Sequence, residues 1–308
     1  MRIRLPRSAR VRVGLGVFLF FCLVGVIGPW IVTHVMHTTA EHSDFNAVAA
    51  GPSWHHLLGT TTSGQDCLAQ LLEGARGSVF VGLLSGFIAM ALAALVGVTA
   101  GFTGGITDRL LNAFANVVMT LPSFILLIIV AGYINSPSIL LSSAIIGLVE
   151  WPGGARYLRA QAMSMRGRDF TTALIAIGES RWRILVVEVM PHLTGIISAM
   201  FLRAVVAGVF AQAGLAFLGI GGSTVSWGFV IGAAQQHGAI GLGLWWWYVP
   251  PGLCIALLGT ATALVNFGVD EVSNPALRNA SSGVRKAMKR AERELAARRS
   301  QETEGATA

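Results

Sequence analysis

Charged residues are scarce in this chain. Of its 308 residues, only 12% are Asp, Glu, Lys or Arg, whereas soluble domains contain about 25%. Hydrophobic residues make up 54% of the sequence. A chain with so little charge and so much apolar surface cannot have water as its only solvent, and we therefore predict an integral membrane protein.

Cysteine and lysine are rare as well. The three cysteines, Cys22, Cys67 and Cys254, lie far apart, so they predict neither a disulfide framework nor a metal site. Neither lysine, Lys286 or Lys289, directly follows a glycine, as the phosphate-binding lysine of a P-loop must. The scattered histidines form no catalytic pattern. We therefore expect that the chain is not a P-loop ATPase, is not an enzyme and binds no cofactor itself.

Long apolar windows are abundant. A bilayer core about 30 Å thick requires about 20 apolar residues per helix. Windows that predict transmembrane helices cover residues 13–35, 78–102, 110–133, 138–151, 193–219 and 245–269. The fourth window is short and Ser-rich, but without it the two basic ends of the chain would lie on opposite sides of the membrane. The prediction is an all-α, polytopic membrane protein with six transmembrane helices.

Basic residues predict the orientation, because Lys and Arg accumulate in cytoplasmic segments. With both termini inside, the cytoplasmic parts hold 20 of the 22 basic residues, leaving only Arg76 and Arg203. These parts are the N-tail 1–12, the connection at Arg109, the segment 152–191 and the C-tail 270–308. Basic residues clustered in this way do not indicate nucleic-acid binding.

Two polar segments complete the predicted organisation. Residues 36–77 form an external loop with room for a short surface helix. After Arg278 the C-tail predicts a basic amphipathic helix, which is either solvated or in contact with anionic lipid. Beyond Gln301 the composition predicts disorder.

The cytoplasmic segment 152–191 contains two short predicted helices. Asp169 is the expected N-cap of the first, Gly178 its left-handed C′ residue, and Ser180 the N-cap of a second helix that runs to Pro191. The first helix is almost uncharged although it lies in the cytoplasm. Its apolar face must therefore be covered, either by the ends of the transmembrane helices or by a groove on another protein.

Arg203 lies about eleven residues into the fifth predicted span, or about 16 Å along it. Arginine at mid-bilayer costs at least about 2.5 kcal/mol, so it should face a protein interior or a wet cavity. Two interpretations remain open: it pairs with a neighbouring subunit or with carbonyl groups, or it lines a pathway and contacts an anionic group such as a peptide carboxylate.

Several motifs occur together in a distinctive order. Residues 172–178 are similar to a Glu-Ala-Ala-x-x-x-Gly signature and are followed by Met190-Pro191-His192 in place of Leu-Pro-Asn. The other motifs are LGTTTSGQD at 58–66, LAFLGIG at 215–221 and SWG at 226–228. Over residues 50–278 the chain thus resembles the membrane permease subunits of binding-protein-dependent ABC importers, in the dipeptide, oligopeptide and nickel branch (the dipeptide permease C type).

The resemblance implies a type I ABC importer permease fold in a bacterial plasma membrane, with its core at 78–269. It implies as partners a second homologous permease, two ABC ATPase subunits or one fused tandem ATPase, and an extracytoplasmic solute-binding protein. ATP and Mg would be bound by the ATPase subunits. The implied cargo is peptides, or alternatively nickel or another small solute. The implied ATPase-coupling residues are Asp169, Thr172, Ala173, Leu174, Gly178 and Arg181, and the pathway candidates are Arg203 and Gln212.

The chain departs from that branch at four positions. Thr172 and Gln212 stand where the branch commonly has Glu, and Thr61 and Gln65 replace charged residues. An ion pair through the signature Glu is therefore lost, although Ala173 and Gly178 preserve the shape of the loop. An ion-coupled secondary transporter is an alternative, but it would need intramembrane acids and often shows inverted repeats. The predicted spans have no central Asp or Glu and no evident inverted repeat. A scaffold or a membrane-embedded enzyme is a further alternative without a supporting motif.

Overall fold

The computed structural model describes residues 9–134, 138–220 and 224–273, with side chains described from 11 to 266 within these ranges. Residues 1–8 of the predicted N-tail, the C-tail beyond residue 273 and its amphipathic helix lie outside them, whereas residues 9–12 form the start of the first helix. The described part is helical, with two isolated β-bridges near the start of the second helix. Its helices are α1 (Ala9–His34), α2 (Cys67–Thr103), α3 (Gly105–Thr120), α4 (Ser123–Gly132), α5 (Ile139–Arg166), α6 (Asp169–Ala176), α7 (Arg181–Arg183), α8 (Met190–Phe217), α9 (Trp227–Gln236) and α10 (Trp245–Ser273).

Helix α2 lies at the centre of the fold and contacts α1, α3, α5, α8, α9 and α10. Glycines allow these close approaches. A Cβ atom at Gly86 would lie 2.8 Å from the backbone nitrogen of Val205 in α8, and one at Gly97 would collide with the carbonyl group of Ala155 in α5. Small residues at such contacts let helix backbones approach each other in membranes.

Four helical segments in the described part are long and apolar enough to cross a membrane: Val11–His34, Cys67–Thr103, Arg181–Phe217 and Trp245–Asn266. The pair α3 and α4 makes a fifth span if it is counted as one. The predicted span 138–151 is not among these spans, because α5 continues into a basic segment. The structure therefore supports four or five spans by length and composition.

The predicted span 110–133 is divided between two helices. Helix α3 ends at Thr120, α4 begins at Ser123, and the two are bent by 79°. Leu121 adopts an extended conformation (φ −81°, ψ 131°), because Pro122 disfavours helical geometry in the residue before it. Pro122 also lacks an N–H group, which suits the start of a helix, where that group would have no partner within the helix.

Helix α5 is longer than predicted, since it does not end at Trp151 but continues through Pro152 to Arg166. Its second half is held against α3. Arg159 forms a two-bond ion pair with Asp108, with nitrogen–oxygen distances of 2.5 and 2.8 Å. Arg156 donates a hydrogen bond of 2.8 Å to the side-chain oxygen of Asn116. Part of the basic segment thus stabilises helix packing.

The segment predicted to be an external loop also differs from the prediction. Residues 35–66 contain turns and bridges, and no separate surface helix is found in them. Residues 67–77, expected in this loop, form the first turns of α2. Asp66 caps them by accepting hydrogen bonds from the N–H groups of Leu68 and Ala69, and its other oxygen lies 2.8 Å from Nδ1 of His56. This side-chain cap starts the helix eleven residues before the predicted span.

Candidate functional site

Helix α6 begins one residue earlier than the predicted cap implies. Arg168 occupies the N-cap position without a side-chain hydrogen bond, and Asp169 is the first helical residue. The reason is that the carbonyl oxygen of Arg168 closes the first turn by accepting the N–H groups of Thr171 and Thr172. In that turn the Asp169 carboxylate still has a favourable interaction with the positive end of the helix dipole.

The C-terminal end of α6 has the predicted geometry. Gly178 has a φ of 85°, a conformation that residues with a Cβ atom rarely adopt. The N–H groups of Gly178 and Glu179 bond to the carbonyl oxygens of Ile175 and Leu174, both at 3.1 Å. These two bonds form a Schellman motif, which satisfies the last carbonyl groups of the helix and reverses the chain.

One face of α6 is attached to the transmembrane helices. Thr171 is fully buried, and its Oγ1 donates a hydrogen bond of 2.9 Å to the carbonyl oxygen of Met165, near the end of α5. Phe170 and Leu174 pack against the apolar core that α2, α5 and α8 share. The ring of Phe170 also stacks on His192 with a centroid distance of 5.6 Å. These contacts fix the position of α6 relative to α5 and α8.

Another apolar surface beside α6 is uncovered. The exposed fractions are 41% for Ile175, 78% for Ile177 and 62% for Trp182. Large apolar side chains grouped in this way on a polar, basic segment are typical of a surface that binds another protein. The helix ends therefore cover Leu174, and nothing in the described part of the chain covers Ile177.

The predicted coupling residues lie on the accessible side with one exception. Asp169, Thr172, Ala173, Gly178 and Arg181 are exposed, whereas Leu174 is half-buried against the core. Leu174 therefore anchors the helix.

The predicted helix from Ser180 to Pro191 has the right start and the wrong end. The side chain of Ser180 accepts the N–H group of Arg183, as expected of an N-cap. The helical path then continues through α7, a π-helical turn at Ile184–Val189 and α8. In the π-turn the N–H group of Met190 bonds to the carbonyl oxygen of Leu185, five residues earlier. A π-turn adds a residue to the helical path without ending it, and such turns often lie at functional sites.

Arg203 lines a cavity of about 320 Å³ between α2, α5 and α8. Glu150 lines the same cavity, together with Trp151, Tyr157 and Met200. In the described part of the chain neither Glu150 nor Arg203 forms an ion pair. The cavity thus has an available carboxylate and an available guanidinium group.

Sequence analysis did not select Glu150, because this residue lay at the end of the predicted span 138–151 and not at its centre. With α5 extending to Arg166, Glu150 is an internal residue of a long helix. Glu150 would have been recognised only if the continuation of α5 beyond Pro152 had been predicted, and the sequence pattern does not show that continuation.

Gln212, the other pathway candidate, is not part of this cavity. It is 4% exposed, and its Nε2 donates a hydrogen bond of 3.2 Å to Oγ of Ser226, the residue that caps α9. Its Oε1 has no hydrogen-bond partner among the described residues. Gln212 therefore joins α8 to α9 within this chain.

Comparison with known proteins shows a match to a protein family. The family model described as "Binding-protein-dependent transport system inner membrane component" matches residues 93–279, more than half of the chain. The matched region includes α6, the exposed apolar surface beside it and the cavity with Glu150 and Arg203.

Curated relatives extend the match towards the N-terminus. The chain is 34% identical over 245 residues to the oligopeptide transport system permease protein OppC of Mycobacterium bovis, covering 79% of this chain and 83% of the relative. It is 29% identical over 240 residues to OppC of Haemophilus influenzae, covering 76% of each chain. It is 28% identical over 279 residues to the dipeptide transport system permease protein DppC of Bacillus subtilis, covering 89% of this chain and 84% of the relative. The chain therefore belongs to the family of binding-protein-dependent transport system inner membrane components, as a multi-pass ABC permease of the plasma membrane.

Proposed function

We propose that this chain is a permease subunit of an ATP-driven importer of peptides, and that α6 couples it to a cytoplasmic ATPase. The observation that carries the proposal is the two-sided character of α6. One side is fixed to α5 and the core through Thr171, Phe170 and Leu174. Ile175 on the same helix, and Ile177 and Trp182 in the residues that follow it, are exposed. A helix held in this way transmits a displacement by a bound partner to the transmembrane helices.

The fixed contacts lead directly from α6 to the pathway cavity. The hydrogen bond of Thr171 reaches the end of α5, and Glu150 lies on the same helix. The exposed segment around Trp182 continues through the π-turn into α8, which carries Arg203. A displacement of α6 and α7 would therefore move the two helices that form the cavity walls, and could open or close it.

The membrane arrangement that fits this proposal has six spans with both termini in the cytoplasm. The third span is the bent pair α3 and α4, and the fourth is the apolar first half of α5. With 28 residues, α5 is about 42 Å long at 1.5 Å per residue, which exceeds a hydrocarbon core of about 30 Å. Its basic end would thus project into the cytoplasm and carry α6 towards the ATPase.

The cavity with Glu150 and Arg203 is the proposed part of the pathway in this subunit. An unpaired carboxylate and an unpaired guanidinium group in one cavity complement a zwitterion, and a peptide has an ammonium and a carboxylate group. The names of the relatives, which are oligopeptide and dipeptide permeases, also favour peptides as cargo. Gln212 remains a candidate only where a second subunit meets α8 and α9.

The proposed partners follow from the same mechanism. A second homologous permease forms the other half of the pathway, and an extracytoplasmic solute-binding protein delivers the peptide. Two ABC ATPase subunits, or one fused tandem ATPase, bind ATP and Mg in the cytoplasm. This chain is the non-catalytic subunit and binds no nucleotide.

The decisive experiment tests whether the surface beside α6 binds the ATPase. The chain is expressed with the permease and ATPase subunits of its transport system, and ATPase recovered with it is quantified. Ile177→Asp places a charge in an apolar interface, and we expect ATPase recovery to fall about tenfold or more. Ile106→Asp is the matched control, since Ile106 is 73% exposed at the start of α3. Equal recovery with both variants would exclude this surface as the ATPase contact.

A further inference from the structure

A crevice of about 500 Å³ lies between α1 and α2. Helix α1 contributes lining residues at 22–29, and α2 contributes lining residues at 76–83. The crevice is open to the surroundings of the chain, since Val26 and Phe80 in its walls are 77% and 45% exposed. None of its lining residues lines the cavity with Arg203, so the crevice is separate from the proposed pathway.

The two helices run antiparallel along the crevice. A Cβ atom at Gly25 would lie 3.5 Å from the carbonyl oxygen of Ala75. Three residues later in α1, a Cβ atom at Gly28 would lie 2.6 Å from the carbonyl oxygen of Leu72, three residues earlier in α2. The start of α2 is therefore next to the end of α1. Arg76, the first lining residue of α2, thus lies at the end of the crevice nearest to the loop that joins the two helices.

Arg76 is the charged residue of this lining, and the rest of the lining is apolar. It is exposed and forms no ion pair with any described residue. Glu73, three residues earlier, is the nearest acid along the helix, but its Oε2 accepts the N–H group of Ala40 at 3.1 Å. Side chains of a helix tilt towards its N-terminus, so Arg76 leans towards the loop. The crevice therefore has one cationic end and one apolar end.

The position and length of the crevice suit an acyl chain. Seven residues of helix separate its two ends, which corresponds to about 10 Å at 1.5 Å per residue. A hydrocarbon core about 30 Å thick contains two leaflets, so one acyl chain covers about 15 Å. Trp30 follows the last lining residue of α1 and is 56% exposed, as is typical of tryptophan at a membrane–water interface. The crevice thus begins near the interface and extends towards the middle of the membrane.

A ligand with an anionic head and an apolar tail matches this arrangement. A guanidinium group donates two parallel hydrogen bonds to a phosphate group. A headgroup with a net negative charge also neutralises Arg76, whereas a zwitterionic headgroup brings a cation of its own. We propose that the crevice binds one anionic phospholipid, with its phosphate on Arg76 and an acyl chain along α1 and α2 towards Leu83. This lipid stabilises the packing of α1 against α2.

A photo-crosslinker in the crevice identifies its occupant. Benzoylphenylalanine is incorporated in place of Phe80, which lines the crevice. The chain is assembled with the other subunits of its transport system in vesicles of equal parts phosphatidylglycerol and phosphatidylcholine, and the adducts formed on irradiation are weighed by mass spectrometry. Lipid that merely surrounds the protein gives similar yields of both adducts. We expect about tenfold more phosphatidylglycerol adduct, because only this lipid is anionic.

Three variants test the role of Arg76 in this preference. Arg76→Gln should remove the preference while phosphatidylcholine adducts still form, which also shows that the variant is folded. Arg76→Lys keeps the charge but loses the two-bond geometry, and it should have an intermediate preference. Arg109→Gln is the matched control, because Arg109 is also an exposed arginine but lies in α3 outside the crevice. It should retain the full preference.

Three results would overturn the inference: equal yields of the two lipid adducts, a preference that persists in Arg76→Gln, or an adduct with another subunit in place of lipid. The last result would mean that the crevice is a contact between subunits. The measurement needs neither ATP nor peptide. It therefore succeeds or fails independently of the proposed peptide import.

Discussion

The Oγ1 atom of Thr171 donates a hydrogen bond to the carbonyl oxygen of Met165 over 2.9 Å, and this buried contact connects α6 to the end of α5. Thr172, the next residue, is exposed, and its Oγ1 bonds to the carbonyl oxygen of Asp169 within its own helix. Two adjacent threonines of α6 thus have different roles. One fixes the helix to the membrane domain, and the other contributes to the accessible surface.

This difference gives the first prediction. Thr171→Val keeps the shape of the side chain but removes its hydrogen bond to the carbonyl oxygen of Met165, which still accepts the N–H group of Arg168. Losing this bond costs about 1 kcal/mol. We expect ATPase co-purification to remain near the wild-type value while transport-coupled ATPase activity falls, because the helix still binds but transmits less. Thr172→Val is the matched control and should retain coupling. Equal activity of both variants would show that the Thr171 contact is not part of the coupling path.

The second prediction concerns the C-terminal end of α6. Gly178→Ala forces a residue with a Cβ atom into a φ of 85°, at a cost of about 1 kcal/mol or more. The Schellman motif should loosen, and stimulated ATPase activity and uptake should both fall in the reconstituted transporter.

Gly167→Ala is the matched control for Gly178→Ala. At both glycines an added Cβ would meet no atom within 4 Å, but Gly167 has a φ of −90°, which alanine readily adopts. Wild-type coupling in Gly178→Ala would refute the role of this helix end, whereas loss of coupling in both variants would point to the space near the loop instead of its backbone conformation.

The third prediction concerns the pathway. Arg203→Leu should leave membrane insertion intact, because removing a charge from an apolar helix lowers the cost of insertion, but it should lower peptide uptake. Arg76→Leu removes the other arginine outside the predicted cytoplasmic segments. Arg76 lines a different crevice, between α1 and α2, so uptake should be retained. Peptide uptake is measured with the variants at matched abundance in the membrane. Wild-type uptake by Arg203→Leu would show that Arg203 is not part of the pathway.

The fourth prediction tests the orientation. In a chain whose three native cysteines are replaced by serine, cysteines are introduced at Ser43 and Ser164. Ser43 lies in the segment before α2, and Ser164 is exposed near the end of α5. A membrane-impermeant maleimide should label Ser43→Cys in intact spheroplasts, and Ser164→Cys only after permeabilisation. Labelling of both from one side would contradict the six-span arrangement.

Local sequence patterns were sufficient for much of the helical architecture. The apolar windows found α1, α2, α8 and α10, since a helix that contacts lipid must be apolar over its length. The left-handed Gly178 and the cap at Ser180 were also predicted correctly. Both depend on the backbone preferences of single residues and on hydrogen bonds within a few positions, which the sequence contains.

The effect of proline differs from one position to the next, because it depends on neighbouring structure. Pro122 breaks the helical path at a bend of 79°, whereas Pro152 and Pro191 lie within continuing helical segments. The missing N–H group is the same in all three. Around Pro191 the π-turn shifts the hydrogen-bond pattern, and the half of α5 beyond Pro152 is held by Arg159 and its ion pair with Asp108.

The sequence by itself determined that this chain is helical, belongs in a membrane and has a structured basic segment with a capped helix, because apolar length, charge placement and cap residues act locally. Only the tertiary structure decided which side of α6 is covered, that Glu150 and Arg203 share one cavity, and that Arg76 lines a crevice between α1 and α2. These relationships join residues far apart in the chain. They depend on how α1, α2, α5 and α8 pack, which no local pattern specifies.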